Sequence, residues 1–201
     1  MRNIFRVILR SQKMRSYLKR AYNEAMGSLL VPPSLPESSI PEVTSLNCHI
    51  SSYNAPRLNL LVPALALRHV FGGIATALDL FRELSAGDEN VRVILTDSVS
   101  FDSVENPSYA GWKISGLGEA DGPGRLIIPA GDRYGQSLPV GRGDRFVATA
   151  WWTAVLAEEI QEWQRREFSL DRKSRFLYLI QDYEPGFYPW SARYALADAT
   201  Y

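Results

Sequence analysis

Short apolar runs and amphipathic stretches alternate along most of this chain. Leu58–Val62 (LNLLV) has the near-continuous apolar pattern of a strand buried on both faces. After a loop from Pro63 to Phe71, Gly72-Gly73 opens a stretch in which Ile74, Ala77, Leu78, Phe81 and Leu84 share one helical face, and Gly87 supplies a stop. Val91–Thr96 (VRVILT) predicts a second buried strand, and Arg125–Pro129 a short third one. Phe146–Thr149 predicts a further strand. A helix follows over about Trp151–Arg166, with Trp152, Leu156, Ile160 and Trp163 on its inner face. Arg175–Ile180 is the last predicted strand and Trp190–Asp198 the last helix. Strands alternating with helices predict an α/β fold, a Rossmann-like doubly wound parallel sheet. Ligands of such sheets bind beyond the carboxyl ends of the strands, so the loops of interest are 63–73, 97–110, 149–152 and 181–190. Residues 97–144 are rich in Gly, Pro, Ser and Asp and carry no clear period.

The amino-terminal third has a different texture. Residues 1–23 hold Arg2, Arg6, Arg10, Lys13, Arg15, Lys19 and Arg20 and no acid, while Met14, Leu18, Ala21, Tyr22 and Ala25 recur at helical spacing. Residues 1–30 are therefore expected to form a basic amphipathic helical extension. Its basic residues 2–20 suit the solvated face of a helix packed on its own domain or, as the alternative, peripheral contact with an anionic membrane. Residues 31–56, with Pro32, Pro33, Pro36, Pro41 and Pro56 among serines, have the composition of a linker. The folded domain is then expected over residues 57–201.

Composition narrows the function. Of 201 residues, 46% are hydrophobic, which supports a real core. Lys plus Arg number 22 and Asp plus Glu number 22, so the whole-chain balance argues against a nucleic-acid partner. Cys48 is the only cysteine, which excludes an intramolecular disulfide and suits a reducing, cytoplasmic setting for an inert thiol. No apolar run approaches the ~20 residues that cross a bilayer, and the start lacks the pattern of a secretory signal.

The residues able to carry chemistry cluster at the end of the chain. Gln181, Asp182, Tyr183, Glu184, Phe187, Tyr188 and Trp190 follow the last predicted strand directly. Aromatic faces cover the apolar side of a pyranose while carboxylates hydrogen-bond its hydroxyls, so this stretch suits a sugar-binding lip. Asp182 and Glu184 are also candidates for acid–base work, against the alternative that they bind backbone amides at a helix end. Gly72 and Gly73 let the backbone approach a ligand, a phosphate at a helix amino terminus included, or simply form a tight turn. They make no G-x-G-x-x-G fingerprint. His69 is a weak catalytic candidate beside them. Thr149 is placed to cap the helix after its strand, and Trp151 to face the cleft. Two histidines and one cysteine offer no metal-ligand spacing, so no metal is expected. Arg142-Gly143-Asp144 spells an adhesion tripeptide that chance accounts for.

Three blocks, LNLLVPAL…HVFGGIATALDLF, GDRFVATAWWTA and YLIQDYEPGFYPWSARYALADATY, resemble in order the amino-terminal half of WsaF-type rhamnosyltransferases. These are bacterial enzymes of cell-surface glycan assembly with two Rossmann-like domains, the GT-B arrangement. The resemblance covers residues 57–201. It implies a domain that binds the glycan acceptor, while a second domain binds a nucleotide sugar such as dTDP-rhamnose. It places Gly72 and Gly73 opposite the donor diphosphate and Gln181–Trp190 on the cleft lip near the transferred sugar. It implies a retaining reaction without a metal or other cofactor. No donor domain follows Tyr201, so the chain by itself is expected to show little transferase turnover. It would act as a truncated or split enzyme beside a separate donor-binding domain. A stand-alone glycan-binding or scaffold module without catalysis, and a nucleotide-dependent enzyme on the same sheet, are the competing readings.

Overall fold

The computed structural model describes residues 40–70 and 72–201. The basic helix expected over residues 1–30, its proposed membrane contact through residues 2–20, and residues 31–39 of the expected linker lie outside the described residues. The compact unit runs from Ile40 to Tyr201. Its strands are β1 (Cys48–Ile50), β2 (Leu58–Val62), β3 (Val91–Leu95), β4 (Lys113–Ile114), β5 (Arg125–Pro129), β6 (Leu138–Val140), β7 (Arg145–Ala148) and β8 (Leu177–Tyr178). Its α-helices are α1 (Gly72–Leu84), α2 (Trp151–Glu167) and α3 (Ala192–Asp198).

Six strands form one sheet in the order β4-β5-β3-β2-β7-β8, and every pair in it is parallel. The chain winds outward from β2 in both directions, as the alternating pattern predicts for a Rossmann-like half. Adjacent residues of the central strands face opposite layers. Leu60, Val62, Val93 and Leu95 pack with Leu78 and Phe81 of α1 on one face. Leu61 and Ile94 pack with Ala154, Leu156, Ala157 and Ile160 of α2 on the other. Both faces are therefore covered, which is why these strands lack an apolar–polar alternation.

The expected linker contributes to this core. β1 pairs with β6 in a separate two-stranded parallel sheet, and Leu46 is buried against the α2 layer. The folded unit therefore starts well before Arg57. Arg133 holds the entering segment by donating to the carbonyls of Pro41, Glu42 and Thr44, and it also binds Thr96 and Ala130. Prolines and serines disguised a segment whose order comes from these distant donors. β6 was hidden in the same way, because Pro139 interrupts its apolar run. Proline is tolerated in so short a strand at a sheet edge, and its carbonyl accepts from both Arg57 and Arg92.

Burial of charge is concentrated at the amino ends of the strands. Arg57, Arg92 and Asp144 are fully enclosed. Asp144 accepts from Arg57 Nη2 at 2.8 Å and Arg92 Nη2 at 3.1 Å, and from the backbone N–H groups of Arg57 and Gly141. Asn59, the polar member of LNLLV, accepts from Arg92 Nε at 2.6 Å and donates to the carbonyls of Arg57 and Arg145. Asp144 of the adhesion-like tripeptide is therefore a structural anion with no exposed surface to offer a receptor.

Asp121 extends this network. Burial opposes its ionisation, but hydrogen bonds from Ser51, Ser52 and Arg57 outweigh that and hold its carboxyl well below the usual range. A depressed folded value contributes stability above the unfolded value of about 3.9 and loses it as pH falls from there. Asp121→Asn is therefore expected to flatten the acid limb of a stability–pH curve below about pH 4. Urea titrations at stepped pH check this, and an unchanged acid limb would contradict it.

Candidate functional site

Connections from β2 lead to β3 on one side, and those from β7 lead to β8 on the other. The crevice between the carboxyl ends of β2 and β7 is thus the topological switch point, where open α/β sheets bind ligands. Gly72 and Gly73 open α1 on one side of it. The loop after β8 borders it on the other.

The two sides touch through Gly73. A Cβ built on this glycine would lie 1.4 Å from Gln181 Oε1 and 3.1 Å from Gln181 Cβ. The lack of a side chain at 73 is what admits Gln181. Gly72 has a φ of +29° and nothing within 4 Å of a built Cβ, so open space adjoins the turn. Gly73→Ala is expected to displace the Gln181 amide and cost about 1 kcal/mol, and Gln181→Ala in the same chain should recover most of it. A double-mutant cycle by urea denaturation measures that coupling. Additive single effects would show that the two residues do not meet.

α2 starts at this crevice with an unusual solution to its capping problem. Its N-cap residue, Ala150, has no side-chain acceptor. Thr153 Oγ1 accepts from the N–H groups of Thr149 and Ala150 instead. Glu184 Oε2, from the distant loop, accepts from the Trp151 N–H at 2.6 Å. A carboxylate is well matched to a helix amino terminus. Thr149, expected as the cap, donates across to the carbonyl of Leu61 on β2.

Glu184 is therefore largely engaged. Burial pushes its carboxyl up, and Asp182 nearby adds to this, while the Trp151 N–H and the Tyr178 hydroxyl oppose it. Asp182 remains exposed and accepts from the Tyr183 N–H. The expected pair is thus unequal, with one helix-capping carboxylate and one open to solvent.

The tryptophans exchange their expected roles. Trp151 is completely buried and donates its indole N–H to the Tyr188 hydroxyl at 3.1 Å. It does not face the cleft. Trp152, expected in the core, is only half-buried and donates to Asp97 Oδ1 at 3.1 Å. The buried stripe of α2 includes Thr153, Gln161 and Gln164, so apolar residues alone give a face rotated by one position. Asp97 follows β3 and also accepts from Thr96 Oγ1 at 2.7 Å. It is a candidate site residue that no motif announced. Its only signal was a place inside loop 97–110.

Beyond these anchors the lip is open. Phe187 is 66% and Trp190 86% exposed. Trp190 precedes α3 and packs loosely on Tyr194, with ring centroids 5.0 Å apart. Tyr188 is half-buried beneath them. Tyr183 bonds Asp198 at 2.6 Å, and that bond holds its hydroxyl protonated beyond the usual tyrosine range. Tyr201 accepts from the Glu184 N–H and donates to the Asp182 carbonyl, fastening the lip to α3. His69 is exposed in the turn Leu67–His69 and accepts from Arg68 Nε. No contact joins it to the lip carboxylates. His49 pairs with Ser137 on the β1–β6 side.

Among the described residues, no group of three or more His, Cys, Asp or Glu is arranged to hold a metal ion. None of their helices is long and apolar enough to cross a membrane. Gly72, Gly73 and Gln181 thus lie at the crevice, Asp182, Tyr183 and Trp190 are exposed on the loop that borders it, and Trp151, Glu184 and Tyr188 support that loop from beneath. No curated protein matches this sequence. The WsaF N-terminal domain family matches residues 57–201, well over half the chain; the protein belongs to that family and carries a glycosyltransferase-related domain.

Proposed function

We propose that this chain is the acceptor-binding half of a bacterial glycosyltransferase. In this reading it holds a growing cell-surface glycan while a donor-binding domain presents a nucleotide sugar of the dTDP-rhamnose type. The observation that carries it is the Gly73–Gln181 contact. It joins a glycine-opened helix to a lip of exposed aromatic and carboxylate side chains at the switch point of a parallel sheet. Trp190 and Phe187 supply apolar faces for pyranose rings. Asp182, Asp97 and the Gln181 amide supply hydrogen-bond partners for hydroxyls. The open space beside Gly72 leaves room for a diphosphate approaching from across the crevice. Stabilising a glycosyl transition state takes groups on both sides of the transferred sugar, so turnover requires the donor domain.

Binding of rhamnose-containing oligosaccharides to this chain, measured with and without a supplied donor domain, tests the reading. Affinity for the oligosaccharides alone and transfer only with the donor domain are expected. Transfer from a nucleotide sugar by this chain unaided would overturn it. A glycan-binding module without catalysis is the second reading. It is favoured by the use of Glu184 as a helix cap, which leaves one exposed lip carboxylate rather than a working pair. Absence of transfer even with a donor domain would select it.

The charge of residues 2–20 supports one addition, peripheral contact with an anionic membrane where lipid-linked acceptors are assembled. Co-sedimentation with anionic vesicles should fall steeply as salt rises, and deletion of residues 1–25 should remove it. Unchanged partition after that deletion would exclude this role.

A further inference from the structure

A second hollow, of about 270 Å3, opens at the opposite end of the sheet from the crevice. It lies where α1 ends and β5 begins, between Ser85 and Arg125, and shares no residue with the lip. Phe81 and Tyr109, 2% and 6% exposed, form its floor. Trp112 stands over them, edge-on to Tyr109 with ring centroids 5.2 Å apart. The Arg125 guanidinium lies 5.9 Å from the Trp112 ring centre. Arg82, Glu83 and Ser108 complete the rim.

The chemistry of this hollow is amphipathic and balanced in charge. Three aromatic side chains give it apolar walls. The Tyr109 hydroxyl and the Trp112 indole N–H bring polar atoms to its lining. Arg82 is paired with Asp79 at 2.8 Å, which leaves Arg125 and Glu83 as rim charges of opposite sign. The carbonyl end of α1 adds partial negative charge, which disfavours an anion. Donors, acceptors and aromatic faces in this proportion suit an uncharged ring with hydroxyls on its edge and C–H groups on its faces. The volume falls just below the ~300–1,000 Å3 typical of drug-sized ligands, so it admits one ring rather than a nucleotide sugar.

We propose that this hollow is a second saccharide subsite, which takes one neutral pyranose unit of a glycan. The site rests on different residues from the crevice and goes beyond the acceptor reading. Nitrogen-15 NMR of the full chain, titrated in turn with methyl rhamnoside, methyl glucoside and inorganic phosphate, tests it. The Trp112 indole resonance should shift saturably with a methyl glycoside at millimolar concentration and stay still with phosphate. Arg125→Ala, at an exposed position that leaves the core intact, should weaken this binding about tenfold. No saturable shift at Trp112, an equal shift with phosphate, or undiminished binding in Arg125→Ala would overturn the proposal. Shifts confined to residues 181–190 would overturn it while leaving the crevice reading standing. Shifts at Trp112 alone would do the reverse.

Discussion

Asp144→Ala is expected to cost about 3–5 kcal/mol of folding stability at neutral pH. The substitution strips the carboxylate from between two enclosed guanidiniums and from two backbone N–H groups. Burial already disfavours the charged form of Arg92, and Arg57 beside it adds repulsion, while Asp144 and Asp121 pull the other way. Without Asp144 only Asp121, at the edge of the network, remains near Arg57. Breaking a buried ion pair from one side costs about 3–5 kcal/mol, a large part of the roughly 5–15 kcal/mol that holds a typical domain together. A urea midpoint lowered by that free energy divided by the slope, with the slope itself unchanged, is the expected measurement. Asp144→Asn keeps acceptor geometry and should fall between wild type and alanine. A loss for Asp144→Ala within about 0.5 kcal/mol would place the site among ordinary surface positions and contradict the network.

Trp151→Ala should be the second large effect, and it separates packing from ligand contact. Trp151 is among the largest fully buried side chains, and its indole N–H ties α2 to Tyr188 in the lip. Its ring also meets Trp152 and Tyr188 edge to face, at centroid distances of 5.7 and 6.2 Å. Truncation leaves a cavity at the mouth of the sheet and costs about 3–5 kcal/mol. Trp151→Phe retains most of the packing and loses the hydrogen bond, so it should cost only about 1 kcal/mol from that source. Chemical denaturation measures both. A Trp151→Ala variant of wild-type stability with impaired glycan binding would invert this assignment and restore Trp151 to the cleft.

The elements most plainly written in the chain are those whose burial is nearly all apolar. β2, β3, β5 and β7 are short runs enclosed on both faces, and α1 displays its inner face through Ala77, Leu78 and Phe81. The glycine pair and the aromatic, acidic terminal loop were also visible as chemistry. What escaped depended on polar atoms satisfied from far along the chain. β6 contains a proline, and β1 lies in a serine- and proline-rich stretch. β6 is held through Arg57 and Arg92, the segment leading into β1 through Arg133, and β1 itself by pairing with β6. Three of the eight buried residues of α2 are Thr or Gln, so the hydrophobic stripe misassigns Trp151 and Trp152 by one residue, which is about 100° of rotation on a helix. Glu184 resembled a reactive acid until the alanine at the start of α2, 34 residues earlier, required an acceptor.

By itself the sequence determined a wound parallel sheet, the loops beyond the carboxyl ends of its strands, and a stretch of rings and acids following the last strand. Local period and composition suffice for that, since they report which side chains leave water. Only the tertiary structure decided that Gln181 fills the space Gly73 vacates, that Glu184 caps α2, and that Asp97 joins Trp152 at the crevice. Those outcomes are set by which polar groups meet across the fold, and a hydrogen bond between residues dozens of positions apart leaves no periodic trace in the chain.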